Sequence, residues 1–587
     1  MGADKSQAAV INCLLPKIFV EAPAGYGKTF TMTEKIVEDF RRNLIPSPKK
    51  ILALTFSVNA ARKMKGDIRA KLQQANQSAE NRVDVYNYHA LARRILELYG
   101  PSLLGLSVHL SNCAQLNESQ ILGHFQELGL ALASQVNHVL TGFSAALRNC
   151  DETALDDLID SYNQILLTVL IPRNCITYNG ILTLAIKLLL EHEPVRFLYR
   201  KLYSYVIVDE AQDTNLLSYR LLKLIIEDET RVCMFGDSLQ RIYGFIGAIP
   251  NFVKRCQTEL GLAPLSLETN HRFAEGSSMQ LLDLNLRENI RNPSAPSIDA
   301  NAIVPLFFRT TVSGELQSTC NIVKAIHTAQ PEATIAILLR SRGFYGNALP
   351  EAMAKNGIDC FEALFEEDSP EYIEFNQLCI QVLGEASGHT GESSLADLRL
   401  FEKLISKEVD ARNYEHADSY KQLVRALVAQ VEAELVSISP QAKHEFATNV
   451  FDNRTLCHAL DYVPSRTVLT TMHSAKGLEW DYVLIPEMMQ WVVPMWPLCR
   501  ECAIEKRLSE CDKHKCNLKS SRFPSGYSDE LCVFYVAVTR ARRNVVFLAT
   551  IDRINKDGEQ KVGNLSCFLQ RPGISISKVE NLPDLVL

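Results

Sequence analysis

The sequence predicts an α/β protein with two parallel-sheet cores, the first carrying a phosphate-binding loop, and with mainly helical insertions. Three observations predict it. A short apolar run, Ile18-Phe19-Val20, leads into E-A-P-A-G-Y-G-K-T (21–29) and then a helix-forming segment. Strand, glycine-rich loop and helix in that order are the setting in which a loop holds phosphate. The stretch Y-V-I-V-D-E-A-Q-D-T-N (205–215) ends an apolar strand in two adjacent acids, and after Pro264 the strand pattern restarts without a second phosphate loop.

Length and composition fit that plan. The 587 residues correspond to about four structural units of roughly 150 each. An apolar content of 47 % and a charged content of 22 % suit a globular chain with several cores. The formal net charge of -7 excludes a chain that is basic throughout, but only the local field along a groove decides whether nucleic acid binds. The start, M-G-A-D-K-S-Q-A-A-V, lacks a basic region followed by a long apolar core, so no secretory signal is expected. No uncharged apolar run reaches transmembrane length; the nearest, Ile181 to Leu190, carries Lys187. Sixteen cysteines without a signal peptide read as reduced thiols of a cytoplasmic protein.

Within the phosphate loop, Gly25 and Gly27 let the backbone curl so that its N–H groups face an anion at the positive end of the following helix. Lys28 would reach the β- and γ-phosphates, and the Thr29 hydroxyl would be a Mg²⁺ ligand. Ala22 stands where the usual pattern has its first glycine. Upstream, Gln7 could read an adenine edge, accepting from the amino group and donating to a ring nitrogen; a surface glutamine is the bland alternative.

The run I-L-A-L-T-F (51–56) predicts a buried parallel strand, followed by a helix carrying Arg62, Lys63, Lys65, Arg69 and Lys71. Those charges could face phosphates or simply form a solvated helix face. In V-D-V-Y-N-Y-H-A-L-A-R-R-I-L (83–96), Tyr86, Tyr88 and His89 stand beside Arg93 and Arg94. That interleaving suits stacked bases and paired phosphates, and equally suits core aromatics. Periodicity makes 97–200 mostly helical. At the end of the next strand Asp209 can bind Mg²⁺, and Glu210 can orient and deprotonate an attacking water. A fourth strand, C-M-F-G-D (233–237), leads to Gln240, placed to sense a γ-phosphate, and to Tyr243 and Phe245 as base-stacking groups.

The second core is read from L-S-L-E-T-N-H-R-F (265–273), V-P-L-F-F-R-T (304–310), T-I-A-I-L-L-R (334–340), V-L-T-T-M-H (468–473), Y-V-L-I-P-E (482–487) and V-V-F-L-A-T (545–550). L-G-E-A-S-G-H-T-G-E-S-S (383–394) reads as a flexible linker, followed by a helical insertion to about Ser439. H-S-A-K-G-L-E-W (473–480) follows a strand, and F-Y-V-A-V-T-R-A-R-R (534–543) reads as a helix bearing Arg540, Arg542 and Arg543. Arg272 and Arg540 would place positive charge on a transferring phosphoryl group.

The ordered set of Gln7, A-P-A-G-Y-G-K-T, L-T-F-S-V-N-A-A, V-D-E-A-Q-D-T-N, G-D-S-L-Q-R-I-Y-G-F-I-G-A, L-E-T-N-H-R-F, H-S-A-K-G-L-E-W and Y-V-A-V-T-R-A resembles superfamily 1A DNA helicases of the UvrD, Rep and PcrA type. The resemblance runs from Gln7 to Arg543. It implies two RecA-like parallel-sheet P-loop NTPase cores, with ATP and Mg²⁺ as cofactors and 3′-to-5′ movement on single-stranded DNA. The implied layout is core 1A at 1–96 and 196–264 with insertion 1B at 97–195, and core 2A at 265–379 and 446–587 with a 2B-like insertion at 380–445. Carried over by position, Gln7 and His271 would meet adenine, and Ala22, Gly25, Gly27, Lys28 and Thr29 would line the phosphate site. Asp209 would hold the metal, Glu210 the water, and Gln240, Arg272 and Arg540 the γ-phosphate. Glu479 would contact nucleotide, while Phe56, His89, Tyr243, Phe245 and His473 would line the DNA path.

The sequence departs from that family in places. His271 replaces the usual adenine-stacking tyrosine, Phe30 replaces an arginine after Thr29, and Ile246 replaces an arginine after Phe245. The short 2B-like insertion predicts DNA-stimulated ATPase with weak unwinding by the chain alone. An alternative from another class is a DNA-sensing regulatory ATPase subunit of a nuclease complex, like the helicase-like subunit of Gabija-type antiphage systems. No nuclease signature is visible, and only about 44 residues follow Arg543.

Cys499, Cys502, Cys511 and Cys516, with His514, give C-x₂-C-x₈-C-x₂-H-x-C. Four thiolates could bind structural Zn²⁺. The spacing fits neither ferredoxin pattern, which disfavours an iron–sulfur cluster. Seven Lys/Arg against four Asp/Glu between Arg500 and Arg522 would let this segment touch phosphate, and an exposed cysteine-bearing loop is the bland alternative.

Overall fold

The computed structural model describes residues 2–55, 58–75, 79–106, 108–110, 113–242, 244, 247–293, 295–365, 369–434, 438–452, 456, 463–495, 524–554 and 559–580. Its internal contacts divide the chain into two units, Met1–His271 and Arg272–Leu587.

The first unit holds β1 (Lys17–Glu21), β2 (Lys50–Thr55), β3 (Val83–Asn87), β4 (Ala114–Leu116), β5 (Cys175–Thr177), β6 (Tyr203–Val208), β7 (Arg231–Gly236) and β8 (Ala263–Ser266). Six of them form one sheet in the order β3-β2-β6-β7-β1-β8, every pairing parallel; β4 and β5 pair separately. A parallel sheet is covered on both faces, which is why its strands read as unbroken apolar runs. The period of two sorts their side chains. Ile18, Val20, Ile51, Ala53, Tyr205 and Ile207 pack with Met32 and Ile36 of the helix Lys28–Arg41. Phe19, Leu52, Leu54, Val206, Val208 and Met234 face the other way. There they join the core of the helices Ser134–Arg148, Glu152–Ile165 and Tyr178–Glu191, the helical stretch that periodicity predicts.

Leu265 and Ser266, read from the sequence as the start of the second core, lie instead on β8. They pair with Val20 and Glu21 of the phosphate-loop strand. The short apolar run looked like a restart because its partner lies far away in sequence.

The second unit holds β9 (Ala302–Arg309), β10 (Ile335–Leu339), β11 (Phe361–Ala363), β12 (Thr467–Thr471), β13 (Trp480–Ile485), β14 (Ala541–Thr550), β15 (Asp552–Ile554), β16 (Gln560–Val562) and β17 (Ile574–Lys578). Seven form a parallel sheet in the order β11-β12-β10-β13-β14-β9-β17. One face buries Ile335, Ile337, Leu469, Leu484 and Val546 with Ile322 and Val323 of the helix Val312–Ala329. Toward the helices Ser278–Arg291 and Pro524–Val538, Phe534 packs on Phe547 at 5.7 Å, and the Tyr535 hydroxyl donates to Asp283 at 3.1 Å.

Two sequence readings change here. The expected helix through 534–543 ends at Val538, and Arg542 and Arg543 lie on β14, where Ala541 pairs with Trp480. Strand pairing overrides helical periodicity at that point. The expected linker at 383–394 is an ordered turn: the helix Pro370–Ala386 runs into it, and Gly388, His389 and Gly391 reverse the chain with positive φ. Ser394 and Asp397 then close a capping box on the helix Leu395–Arg412. With Ala417–Glu434 and Pro440–Asp452 these helices make a bundle in which Phe375 stacks on Tyr420 at 4.3 Å.

Candidate nucleotide-binding site

The phosphate loop lies between β1 and the helix Lys28–Arg41, whose N-cap is Gly27. Gly25 and Gly27 have φ of 83° and 76°, the left-handed region that a Cβ disfavours. Ala22 is not among the left-handed residues. Its N–H donates to Gly236 O (2.8 Å) as an extension of the sheet, so an alanine satisfies the position of the missing glycine. The Gly25 carbonyl is held from outside by His271 N–H at 2.8 Å. Thr29 is exposed in the first helical turn. Phe30, the departure next to it, lies under the Lys71 ammonium at 5.5 Å. A cation therefore still stands beside this turn, supplied from the helix Val58–Gln74.

Lys28 meets both acids that follow β6. Its Nζ lies 2.9 Å from Asp209 Oδ1 and is ion-paired with Glu210 Oε1. Burial would lower the lysine's pKa, but the two carboxylates outweigh it and hold the ammonium well above its ordinary value. Burial pushes the Asp209 carboxyl up, and Lys28 offsets this only in part. Glu210 sits at φ 51°, a left-handed turn that breaks the strand just after Asp209. The oxygen donors of Thr29 and Asp209 suit a hard cation such as Mg²⁺, as does a carboxylate buried against a single ammonium.

A hydrogen-bonded chain leads on from Glu210. Gln212 Nε2 donates to Glu210 Oε2 (2.6 Å), and Gln212 Oε1 accepts from Asp237 N–H (3.1 Å). Gln240 Nε2 donates to Asp237 Oδ2 (3.0 Å). The residue expected to activate water and the one expected to sense γ-phosphate are thus joined through Gln212 and Asp237. Both residues lie within motifs legible in the sequence, where nothing but the fold marks them as a link.

Gln7 is nearly fully buried (3 % exposed). Asp4 and Gln7 form a capping box on the helix Lys5–Ile11, which a D-x-x-Q spacing makes legible. Gln7 Nε2 also reaches Tyr26 O (3.4 Å) and His271 Nε2 (3.0 Å). His271 Nε2 meets Asp4 Oδ2 at 2.8 Å. Despite its burial, Asp4 is held down at about 2 by its bonds from Ser6, Gln7 and His271. The two residues expected at adenine therefore touch each other beside the phosphate loop.

In the second unit, three further expected residues cluster. Arg272 donates to Thr539 O and is ion-paired with Glu479. Arg540 donates from Nη2 to Thr539 Oγ1 (3.1 Å) and from Nη1 to Leu478 O (3.3 Å). Thr539 thus binds both arginines.

The expected DNA-path residues fare differently. His89 packs edge-on against Tyr178 (5.2 Å), and burial, with Arg93 adding, pushes it down to about 4. Its neighbour Tyr88 is a core residue. His473 opens the turn after β12; burial, with Arg340 adding, lowers it to about 4. Phe56, Tyr243, Phe245 and Ile246 lie outside the described residues, as do Cys499, Cys502, Cys511, His514 and Cys516. Among the described residues no group of three or more His, Cys, Asp or Glu could hold a metal ion, and no helix is long and apolar enough to cross a membrane.

Comparison with known proteins gives a consistent pattern. Residues 3–260 match the UvrD/REP helicase N-terminal domain, and residues 394–551 match the UvrD-like helicase C-terminal domain. A probable DNA helicase II homolog of Mycoplasma pneumoniae is 21 % identical over 638 residues, covering 93 % of this chain and 84 % of that protein. DNA helicase II of Rickettsia typhi is 23 % identical over 626 residues, covering 89 % and 88 %. ATP-dependent DNA helicase PcrA of Leuconostoc citreum is 25 % identical over 294 residues, covering 48 % and 38 %.

Proposed function

The chain belongs to the UvrD-like family of ATP-dependent DNA helicases, and from that membership we propose that it hydrolyses ATP to move 3′ to 5′ along single-stranded DNA. The observation that carries the reading is Lys28 held on Asp209 and Glu210 at the mouth of a glycine loop. On this reading Lys28 exchanges the carboxylates for the β- and γ-phosphates when ATP arrives. Glu210, released from the ammonium and still oriented by Gln212, then takes a proton from the attacking water. Thr29 and Asp209 would hold Mg²⁺, which supplies positive charge to the phosphates. Gln240 would report the γ-phosphate to Glu210 through Asp237 and Gln212. Arg272 and Arg540 would stabilise charge on the transferring group, with Glu479 at the nucleotide. Gln7 and His271 would select adenine. Phe56, His89, Tyr243, Phe245 and His473 remain the proposed DNA contacts.

Apart from Leu265 and Ser266, which β8 keeps in the first sheet, the proposed division into cores 1A (1–96, 196–264) and 2A (265–379, 446–587), with insertions at 97–195 and 380–445, follows the family pattern. The spacing of Cys499, Cys502, Cys511 and Cys516 alone supports a structural Zn²⁺. Purified protein with less than one zinc per chain would remove that idea.

The test is ATP turnover with and without single-stranded DNA, for wild type and Lys28→Ala. Strong stimulation that the variant loses is the expected result. Turnover that appears only on adding a partner protein would favour a regulatory subunit of a nuclease complex. No turnover in either case would contradict a motor.

A further inference from the structure

At the carboxyl end of β13, the loop 486–495 holds Trp491 in a backbone conformation that tryptophan rarely takes. Its φ is 73°. Asparagines such as Asn174 and Asn413 accept that region readily, whereas a bulky side chain there is an outlier. The residue is also 47 % exposed, so a large part of it is open to a ligand.

The loop is fixed on both sides of the ring. Glu487 N–H donates to the Glu315 carboxylate (2.7 Å), and Met488 N–H to Leu548 O (2.9 Å). Gln490 N–H donates to Asn564 O (2.9 Å), and Val493 N–H to Met489 O (2.8 Å). The Ser566 hydroxyl donates to Val493 O, and Met488, Met489 and Val493 are buried. Strain that surrounding structure holds in place in this way is found at ligand clamps. A glycine would meet the same backbone demand without strain, so the loop's own geometry gives no reason for an indole.

The position points to the ligand. Loops outside the carboxyl ends of parallel strands are where open α/β sheets bind. The His473 turn follows β12 on that same edge, and one side chain joins the two loops. Glu530 pairs with Arg340, both stand beside His473, and Glu530 also accepts from Met495 N–H at 3.2 Å.

We propose that Trp491 is a base-stacking platform for single-stranded DNA on the second unit. This rests on the reading of the chain as a motor on single-stranded DNA. A flat, uncharged indole stacks on any base, which suits a strand that must pass whatever its sequence.

The test measures affinity of wild type, Trp491→Gly and Trp491→Phe for a labelled oligothymidylate and for an abasic strand of equal length, at several salt concentrations. Trp491→Gly should lose roughly five- to a hundredfold on the thymidylate strand, the loss expected for one stacked base. Trp491→Phe should recover much of it. The salt dependence should be unchanged, since no charge is removed, and the abasic strand should not distinguish the proteins. The melting temperature of Trp491→Gly should match or exceed wild type, because glycine suits the backbone there. Equal thymidylate affinity in wild type and Trp491→Gly would overturn the proposal, as would an equal loss on both strands. If wild type binds neither strand, the motor reading itself fails and the platform with it.

Discussion

Lys28 and Glu210, 182 residues apart in the chain, are ion-paired across the first unit's phosphate loop. A lysine engaged with phosphate cannot also neutralise the carboxylate that is to accept a proton. On the proposed reading, the pair masks Glu210 until nucleotide claims the lysine. Glu210→Gln should keep nucleotide binding while turnover falls roughly 10²- to 10⁴-fold, the range for a lost general base. Lys28→Ala should lose binding and turnover together. Equilibrium nucleotide binding beside steady-state turnover separates the two outcomes.

Gly27 packs closely against Gln7. A Cβ there would lie 2.4 Å from Gln7 Nε2, at a φ of 76° that already disfavours a side chain. Gly27→Ala should lower melting temperature and ATP affinity together. Gln7→Ala should instead narrow the preference for ATP over GTP, with a smaller thermal effect. Competition binding of the two nucleotides checks both.

Titration should be visible in stability. Burial pushes the Glu315 carboxyl up to about 7, where it accepts from Tyr345 Oη at 2.6 Å. Between its ordinary value and about 7 the folded chain keeps a proton that the unfolded chain has lost. Its contribution is therefore full below the ordinary value and is lost as pH rises through about 7. Glu315→Gln, which stays neutral, should gain melting temperature relative to wild type at about pH 8 and not at about pH 5. His89 and His473 act with the opposite sign. Each is lowered to about 4, so the unfolded chain protonates first and stability is lost as pH falls from the ordinary histidine value toward 4. Melting temperatures across pH, with and without each histidine, test these signs.

Much of the first unit's site was legible because its chemistry is local. The glycine loop, Lys28, Asp209 and Glu210 each sit at the end of a recognisable apolar strand. The partners were less legible. Arg272 and Glu479 are 207 residues apart, and only the fold makes them a pair. Tyr88 read equally well as a base-stacking or a core residue, since an aromatic beside arginines serves either, and packing decided for the core. The end of the helix before Arg540 was missed because Ala541–Thr550 gains more from pairing beside β13 than from continuing an apolar helix. Trp491 carries no sequence signal at all, since only the backbone reveals its left-handed φ.

The second insertion bears on unwinding. Helices between Pro370 and Asp452 form only a small bundle. We expect DNA-stimulated ATP turnover with weak separation of long duplexes by the isolated protein. Strand-displacement assays on tailed duplexes, run beside turnover assays, measure both; robust unwinding of long duplexes would contradict the expectation.

The most direct measurement is translocation on single strands of increasing length, each carrying a dye at one end, after rapid mixing with ATP. Directed 3′-to-5′ movement predicts a lag that grows with length when the dye is at the 5′ end, no such lag when it is at the 3′ end, and neither response from Glu210→Gln. A length-dependent lag at the 3′ end, or signals independent of length in a protein that hydrolyses ATP, would contradict it.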